Sequence, residues 1–188
     1  MTRIIGGSAG GRRLATPRGT STRPSSDRVR EALFSAIESW CGSLQGLRFL
    51  DLYAGSGAVG LEAWSRGAGV VTLVEQDRRT AALITSNAKT LGFSKANVVV
   101  GSVAATLARP PVAPYDVVFL DPPYPTAGDE VDGNLEQLSG EWVVPGGMVV
   151  VERSSRSRAP QWPPWFAETR ERKYGETTLW YGHAAHPR

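Results

Sequence analysis

Five short apolar runs, Phe49–Tyr53, Val70–Val74, Val98–Val100, Val117–Leu120 and Met148–Val151, are separated by stretches of helical periodicity at 58–66, 78–91, 102–108 and 129–139. No other feature restricts the fold as much. Runs of Val, Leu and Phe with few polar interruptions suit strands buried on both faces, which in practice means a parallel sheet covered by helices. Strands that alternate with helices predict a doubly wound α/β domain, a mainly parallel twisted sheet of about seven strands with helices on both faces. Gly67 and Gly92 fall where helix C-terminal caps belong.

The flanks differ. Ser26 is placed to cap a helix over 27–40, on which Val29, Leu33, Ile37 and Trp40 form one apolar stripe, and Cys41-Gly42 ends it. After Arg158, Pro160, Pro163 and Pro164 break the alternation, and 167–173 and 177–182 flank Tyr174-Gly175 as a terminal hairpin. Trp40, Trp64 and Trp142 fall in packed segments and are expected in the core. A chain of 188 residues, 41% hydrophobic, fits one domain. One cysteine (Cys41) and two histidines (His183, His186) exclude zinc fingers, CxxC redox pairs and disulfide scaffolds, so no metal is expected. No apolar run approaches bilayer length, so no membrane association is expected either.

Charge is unevenly spread. Residues 1–30 hold seven arginines (Arg3, Arg12, Arg13, Arg18, Arg23, Arg28, Arg30) against one acid, Asp27, a net of +6. The other 158 residues hold 14 bases and 17 acids, a net of −3. Residues 1–25 are rich in Gly, Ser, Thr, Pro and Arg and promise little core. Arg3-Ile4-Ile5 and Arg12-Arg13-Leu14 can pair as a small hairpin. A targeting peptide would be an amphipathic helix, which Gly6, Gly7, Gly10 and Gly11 and two prolines break; a solvated linker is the plainer alternative. Arginine's bidentate fork and counterion release favour a surface for a polyanion, and the absence of lysine favours phosphate and base-stacking contacts. The expected division is a basic extension over 1–25, a main domain over 26–183 and a tail over 184–188.

The first run leads into Asp51-Leu52-Tyr53-Ala54-Gly55-Ser56-Gly57-Ala58-Val59-Gly60. Gly55 to Gly60 satisfies G-x-G-x-x-G between a strand and a helix, and Glu75 closes the next strand twenty residues after Gly55. That spacing suits a carboxylate on ribose hydroxyls. Dinucleotides and S-adenosylmethionine (SAM) both use such a crossover, and Asp51 discriminates between them. A carboxylate beside the turn repels a pyrophosphate but attracts a sulfonium and an α-ammonium. The expected cofactor is therefore SAM, held by Asp51, Tyr53, Ala54, Gly55, Ser56, Gly57, Glu75 and Gln76, with Asp121 reaching it from the next loop.

The fourth run ends in Asp121-Pro122-Pro123-Tyr124, which a parallel sheet would aim into the same pocket. These residues suit a planar exocyclic amine. The Asp121 carboxylate and the Pro122 carbonyl can accept its N–H groups and favour pyramidalisation, exposing the nitrogen lone pair. Pro122 and Pro123 stiffen the loop, and Tyr124 can stack on the base, a contact worth roughly 1–3 kcal/mol. An ordinary Pro-Pro turn is the plain alternative.

Asp51–Gly60, Glu75 and Asp121–Tyr124 resemble the motifs of SAM-dependent amino-methyltransferases of the (N/D)-P-P-(Y/F/W) kind. With Arg3–Gly7 and Arg23–Phe34, the chain is similar over residues 3–182 to the bacterial RsmD-type family of 16S rRNA guanine-N2 methyltransferases. The resemblance implies a Rossmann-like methyltransferase fold, a guanine in small-subunit rRNA within a ribosomal particle or assembly intermediate, and a cytoplasmic enzyme; a monomer is compatible with the sequence, which leaves the oligomeric state open. One departure stands out. After the third run, where methyltransferases often place a polar contact to adenine, this chain reads Gly101-Ser102-Val103-Ala104, leaving Ser102 and Val103 as the candidates. The rival readings are an amino-methyltransferase acting on DNA or protein, a nicotinamide-dependent oxidoreductase, and a non-catalytic RNA-binding module.

Overall fold

The computed structural model describes residues 2–17, 26–123 and 126–186. The expectations placed on Arg18, Arg23 and Tyr124 lie outside the described residues. In chain order the elements are β1 (Thr2–Arg3), β2 (Arg13–Leu14), α1 (Asp27–Cys41), β3 (Arg48–Leu52), α2 (Ala58–Ser65), β4 (Val70–Glu75), α3 (Arg78–Thr90), β5 (Asn97–Val100), α4 (Val103–Leu107), β6 (Tyr115–Leu120), α5 (Gly128–Leu138), β7 (Val143–Ser154), β8 (Phe166–Tyr174) and β9 (Thr177–Ala184). Each apolar run has become a strand and each amphipathic stretch a helix. Capping residues set the helix starts: Ser26 Oγ accepts from Val29 N at 3.2 Å, Asp77 Oδ2 from Thr80 N at 2.9 Å and Ser102 Oγ from Ala105 N at 3.1 Å.

Seven strands form one sheet in the order β5-β4-β3-β6-β7-β9-β8. The first five run parallel, and β9 and β8 complete the edge antiparallel. One face packs on α1, α2 and α3 through Leu33, Phe34, Ile37, Leu61 and Ile84. The other packs on α4 and α5 through Val103, Leu107, Val131, Leu135 and Leu138. The Rossmann-like, doubly wound architecture expected from the alternation is the one observed. Two details differ. β5 is an edge strand, and Val100 on it is 54% exposed, because an apolar run specifies a strand but not its neighbours. Trp40 is exposed at the end of α1 and tilts against His183 with ring centroids 5.7 Å apart, whereas Trp142 is buried and Trp64 stacks on Phe93.

The N-terminal segment forms the expected hairpin, with Thr2 opposite Leu14 and Arg3 opposite Arg13. It also inserts Ile4, Ala9 and Leu14 into the core cluster of α1–α3, more than its composition promises. Backbone satisfaction makes this possible. The fully buried Glu62 of α2 accepts from Ile5 N at 2.8 Å and Gly6 N at 2.9 Å, and Ser65 Oγ accepts from Ala9 N at 2.9 Å. Gly7, at φ +77°, passes so near the Ser65 carbonyl that a Cβ would lie 1.9 Å from its oxygen. Arg30 corrects the charge reading. Expected on the RNA surface, its side chain is fully buried, paired with Asp27 at 2.7 Å and Glu62 at 3.4 Å, and it donates to the Arg3 carbonyl at 2.6 Å. It therefore ties the hairpin to α1 and α2 and is out of reach of a polyanion.

Candidate active site

Strand order reverses between β3 and β6. From β3 the chain moves through β4 to β5, then returns to the other side of β3. Open α/β sheets bind ligands beyond the carboxyl ends of the strands that flank such a reversal. In register, Leu52 lies opposite Leu120 and Val74, and Glu75 opposite Val100. Residues 53–57, Glu75-Gln76, Gly101–Val103 and Asp121–Pro123 consequently leave the sheet at one end, side by side.

The loop after β3 is tightly wound. Tyr53 has φ +59°, the one positive value among described non-glycine residues, and Gly55 and Gly57 follow at +58° and +85°. A left-handed conformation at a tyrosine costs on the order of 1–3 kcal/mol. Its hydroxyl secures it, donating to Asn134 Oδ1 at 2.5 Å with Glu130 Oε1 at 3.4 Å, both on α5. Burial, then Glu130, pushes this phenol well above its ordinary range, so it remains a donor. Ala54 N donates to the Val74 carbonyl and Gly57 N to the Ala54 carbonyl, each at 2.9 Å. A Cβ on Gly60 would lie 2.6 Å from Leu73 Cδ2, so glycine lets α2 settle on β4. A Cβ on Gly55 would meet no described atom within 4 Å, so the outer side of the turn is open.

Carboxylates brace this turn. Asp51 is buried, and its Oδ2 accepts from Gly60 N at 2.8 Å. Burial holds the Asp51 carboxyl well above the usual range, and nearby Glu75 and Glu152 raise it further. Glu75 Oε1 accepts from Gly55 N at 3.0 Å, and its Oε2 from Asp77 N at 2.9 Å. Each oxygen keeps lone-pair capacity for a hydroxyl. Gln76 is exposed beside it. Ser56 is buried, and its carbonyl accepts from Asn87 Nδ2 at 3.1 Å. Asn87 also exchanges both of its polar atoms with Ala15, at 2.9 and 3.0 Å. This buried amide links the hairpin's exit to the glycine loop, and nothing in the local pattern of α3 marks it out. At the next turn, Ser102 Oγ is engaged as the α4 cap and Val103 is buried in the core beneath.

Asp121 leaves β6 with its N–H 3.5 Å from the Leu52 carbonyl. Pro122 is buried and Pro123 exposed, and the Pro123 carbonyl accepts from Thr126 N at 2.7 Å. Arg153, at the end of β7, donates to the Thr126 carbonyl at 2.9 Å. Arg158 pairs with Asp129 at 2.9 Å and Asp132 at 2.7 Å. The segment after the tetrad is thus pinned by two arginines that no sequence motif marks. Of the arm's other described arginines, Arg3 pairs with Asp27 at 3.2 Å, Arg12 donates to the Thr90 carbonyl at 2.8 Å, and Arg13 and Arg28 are exposed. Among the described residues no group of three metal-ligating side chains is found, and no helix is long and apolar enough to cross a membrane.

Comparison with known proteins follows the same outline. The model of the family Conserved hypothetical protein 95 matches residues 2–183. The chain is 37% identical to Ribosomal RNA small subunit methyltransferase D of Escherichia coli (strain K12) over 174 residues, 93% of this chain and 85% of that protein. It is 35% identical to YlbH of Bacillus subtilis (strain 168) over 180 residues, 93% of this chain and 95% of that one. The solved structure of yhhF from Escherichia coli matches with a TM-score of 0.86 and 32% identity, covering 99% of both chains. A second, from Haemophilus influenzae, matches with a TM-score of 0.80 and 30% identity over 98% of both.

Proposed function

Since the chain belongs to the Conserved hypothetical protein 95 family, that of the ribosomal RNA small subunit methyltransferase D proteins, we propose that it methylates the exocyclic N2 amine of a guanine in small-subunit (16S) rRNA, using SAM. The observation that carries this reading is the acidic surround of the glycine turn. Glu75 and Glu152 both lie close enough to act on the buried Asp51 carboxyl. A pyrophosphate placed there would be repelled, whereas a cofactor bearing a sulfonium and an ammonium is attracted. The donor set fits SAM: an open turn at Gly55, a carboxylate at the end of β4 for ribose hydroxyls, and no phosphate-binding cation on the loop itself.

When bound, SAM supplies an electrophilic methyl group on its sulfonium. The rest is positioning. Asp121 accepts an N–H of the target amine and, with the Pro122 carbonyl, turns the nitrogen lone pair toward the methyl. Pro122 and Pro123 keep those acceptors in place without paying rotational entropy at each turnover. Tyr124 stacks on the base. Nitrogen becomes acidic once alkylated, so its proton passes to water and a strong base is unnecessary; His183 lies against Trp40, away from this end of the sheet. Tyr53, Ala54, Ser56, Gln76, Ser102 and Val103 complete the cofactor pocket by shape and backbone. The substrate reading places the enzyme in the cytoplasm, acting as a monomer on a small subunit or its assembly intermediate. The test is incubation with methyl-labelled SAM and small-subunit rRNA, followed by nucleoside analysis. Label in N2-methylguanosine is expected. Label in DNA or protein instead, or retention of NADH rather than SAM, would select a rival.

A further inference from the structure

A groove separates α1 from the β8–β9 hairpin. It consists of two adjoining cavities of about 390 and 330 Å³ that share Ala36, Ser39 and Arg170. Its wall is the side of α1 that carries Ala32, Ser35, Ala36 and Ser39, whose small side chains leave the space open. Its direction is set by the sheet. Thr177 lies opposite both Ser154, at the carboxyl end of β7, and Tyr174. The β8–β9 turn is therefore at the same end of the sheet as Asp121, and the groove runs from there toward Trp40 and His183.

Two observations show what it takes. At the active-site end it presents Arg170 and Arg172, with Arg28 5.9 Å above the Tyr174 ring. Among the described residues none of these three pairs with a carboxylate, although Arg3, Arg30, Arg66 and Arg158 all do. Among the described residues the one acid lining the groove, Glu168, lies at the far end beside His183. Independently, the fully buried Tyr181 forms part of the lining, and its hydroxyl has no hydrogen-bond partner. Arg170 lies over its ring at 4.7 Å. A buried hydroxyl without a partner costs about 1–3 kcal/mol. Burial raises this phenol to about 12, so it offers a proton to an anionic oxygen.

We infer that this groove is the track for the RNA strand leading away from the target guanine, with its phosphates held by Arg172, Arg170 and the Tyr181 hydroxyl. The inference rests on the proposed substrate being RNA. It assigns phosphate contact to β8 and β9, on residues that no motif marks.

The experiment uses the full chain and three variants: the double Arg170→Ala/Arg172→Ala, Tyr181→Phe, and Ser35→Trp, which fills the groove from an exposed position on α1. Melting and SAM calorimetry should match the wild type, and Tyr181→Phe should melt no lower. For the double variant, KM for rRNA should rise at least about tenfold with kcat within twofold. The log–log salt slope of RNA binding should fall by about 1.4, at roughly 0.7 per phosphate contact. Tyr181→Phe and Ser35→Trp should raise KM several-fold. Wild-type methylation with unchanged KM and slope in all three variants would overturn the groove while leaving the activity standing. An inactive wild type would instead sink the functional reading, and the binding slopes would still judge the groove. Defects seen only on assembled particles, with naked RNA handled normally, would assign the groove to a protein and overturn the RNA track.

Discussion

Glu62 is the residue on which the N-terminal hairpin depends, and Glu62→Gln is the sharpest perturbation of it. The carboxylate accepts from Ile5 N, Gly6 N and Arg66 Nε at 2.8–2.9 Å, and it faces Arg30 Nη1 at 3.4 Å. Glu62 and Arg30 are both fully buried, so neither charge can turn to water. Glutamine keeps one acceptor oxygen, but its amide group points N–H bonds at donors. It also leaves Arg30 leaning on its ion pair with Asp27, a residue whose side chain is 47% exposed. Removing one member of a buried pair costs about 3–5 kcal/mol. At roughly 2–4 °C per kcal/mol for a chain of this size, the melting temperature should fall by about 6–20 °C. Thermal unfolding measures the loss, and hydrogen exchange localises it: the amides of Ile5, Gly6 and Ala9 should exchange faster while those of Gly55 and Gly60 stay protected. A melting temperature within about 2 °C of wild type would show that the buried Glu62 charge does not hold the hairpin, since losing one member of a fully buried pair is strongly destabilising.

Asp51→Asn should separate stability from cofactor binding. Because Asp51's carboxyl is held above its ordinary range in the folded chain, the folded protein keeps a proton that the unfolded one releases above about pH 4, and stability is lost as pH rises through that window. The variant should therefore match the wild type near that pH and exceed it progressively above, while SAM binds more weakly; a variant that loses ground to the wild type as pH rises would contradict this. Glu75→Ala should weaken SAM by about 2–3 kcal/mol, through lost charge-assisted bonds and a loosened Gly55, and calorimetry showing affinity within twofold of wild type would remove Glu75 from the pocket. Asp121→Ala should leave SAM affinity within a few-fold yet slow methyl transfer by roughly two to three orders of magnitude; full activity would end the amine-orienting role assigned to this aspartate.

The sheet was legible because its signal is local. Leu50, Leu73, Val118 and Val150 sit in runs that name a buried strand without reference to anything distant, and Ser26, Asp77 and Ser102 cap their helices within three residues. The glycine turn was legible for the same reason, since Gly55, Gly57 and Gly60 meet steric demands that their spacing records. What escaped notice depends on partners far along the chain. Arg30 read as one more cation in a basic arm, and only the fold brings it to Glu62, 32 residues away. Asn87 is an unremarked polar residue on α3 until Ala15 and Ser56 close on it. Glu75 was read as a ribose ligand from its place in the motif, yet its bonds to Gly55 and Asp77 show that it also builds the turn. Trp40 followed the apolar stripe of α1, but the helix outruns the core at its last turn.

Asp121 is proposed to present a guanine N2 amine to a methyl donor held at the glycine turn. The most direct measurement is mass mapping of small-subunit rRNA nucleosides from cells that carry the gene, lack it, or carry Asp121→Ala in its place. One N2-methylguanosine, at a single position, is expected with the wild-type gene and is expected to be absent in both other cases. An unchanged methylation map in cells lacking the gene, or loss of a methyl group from a different nucleoside, would contradict it.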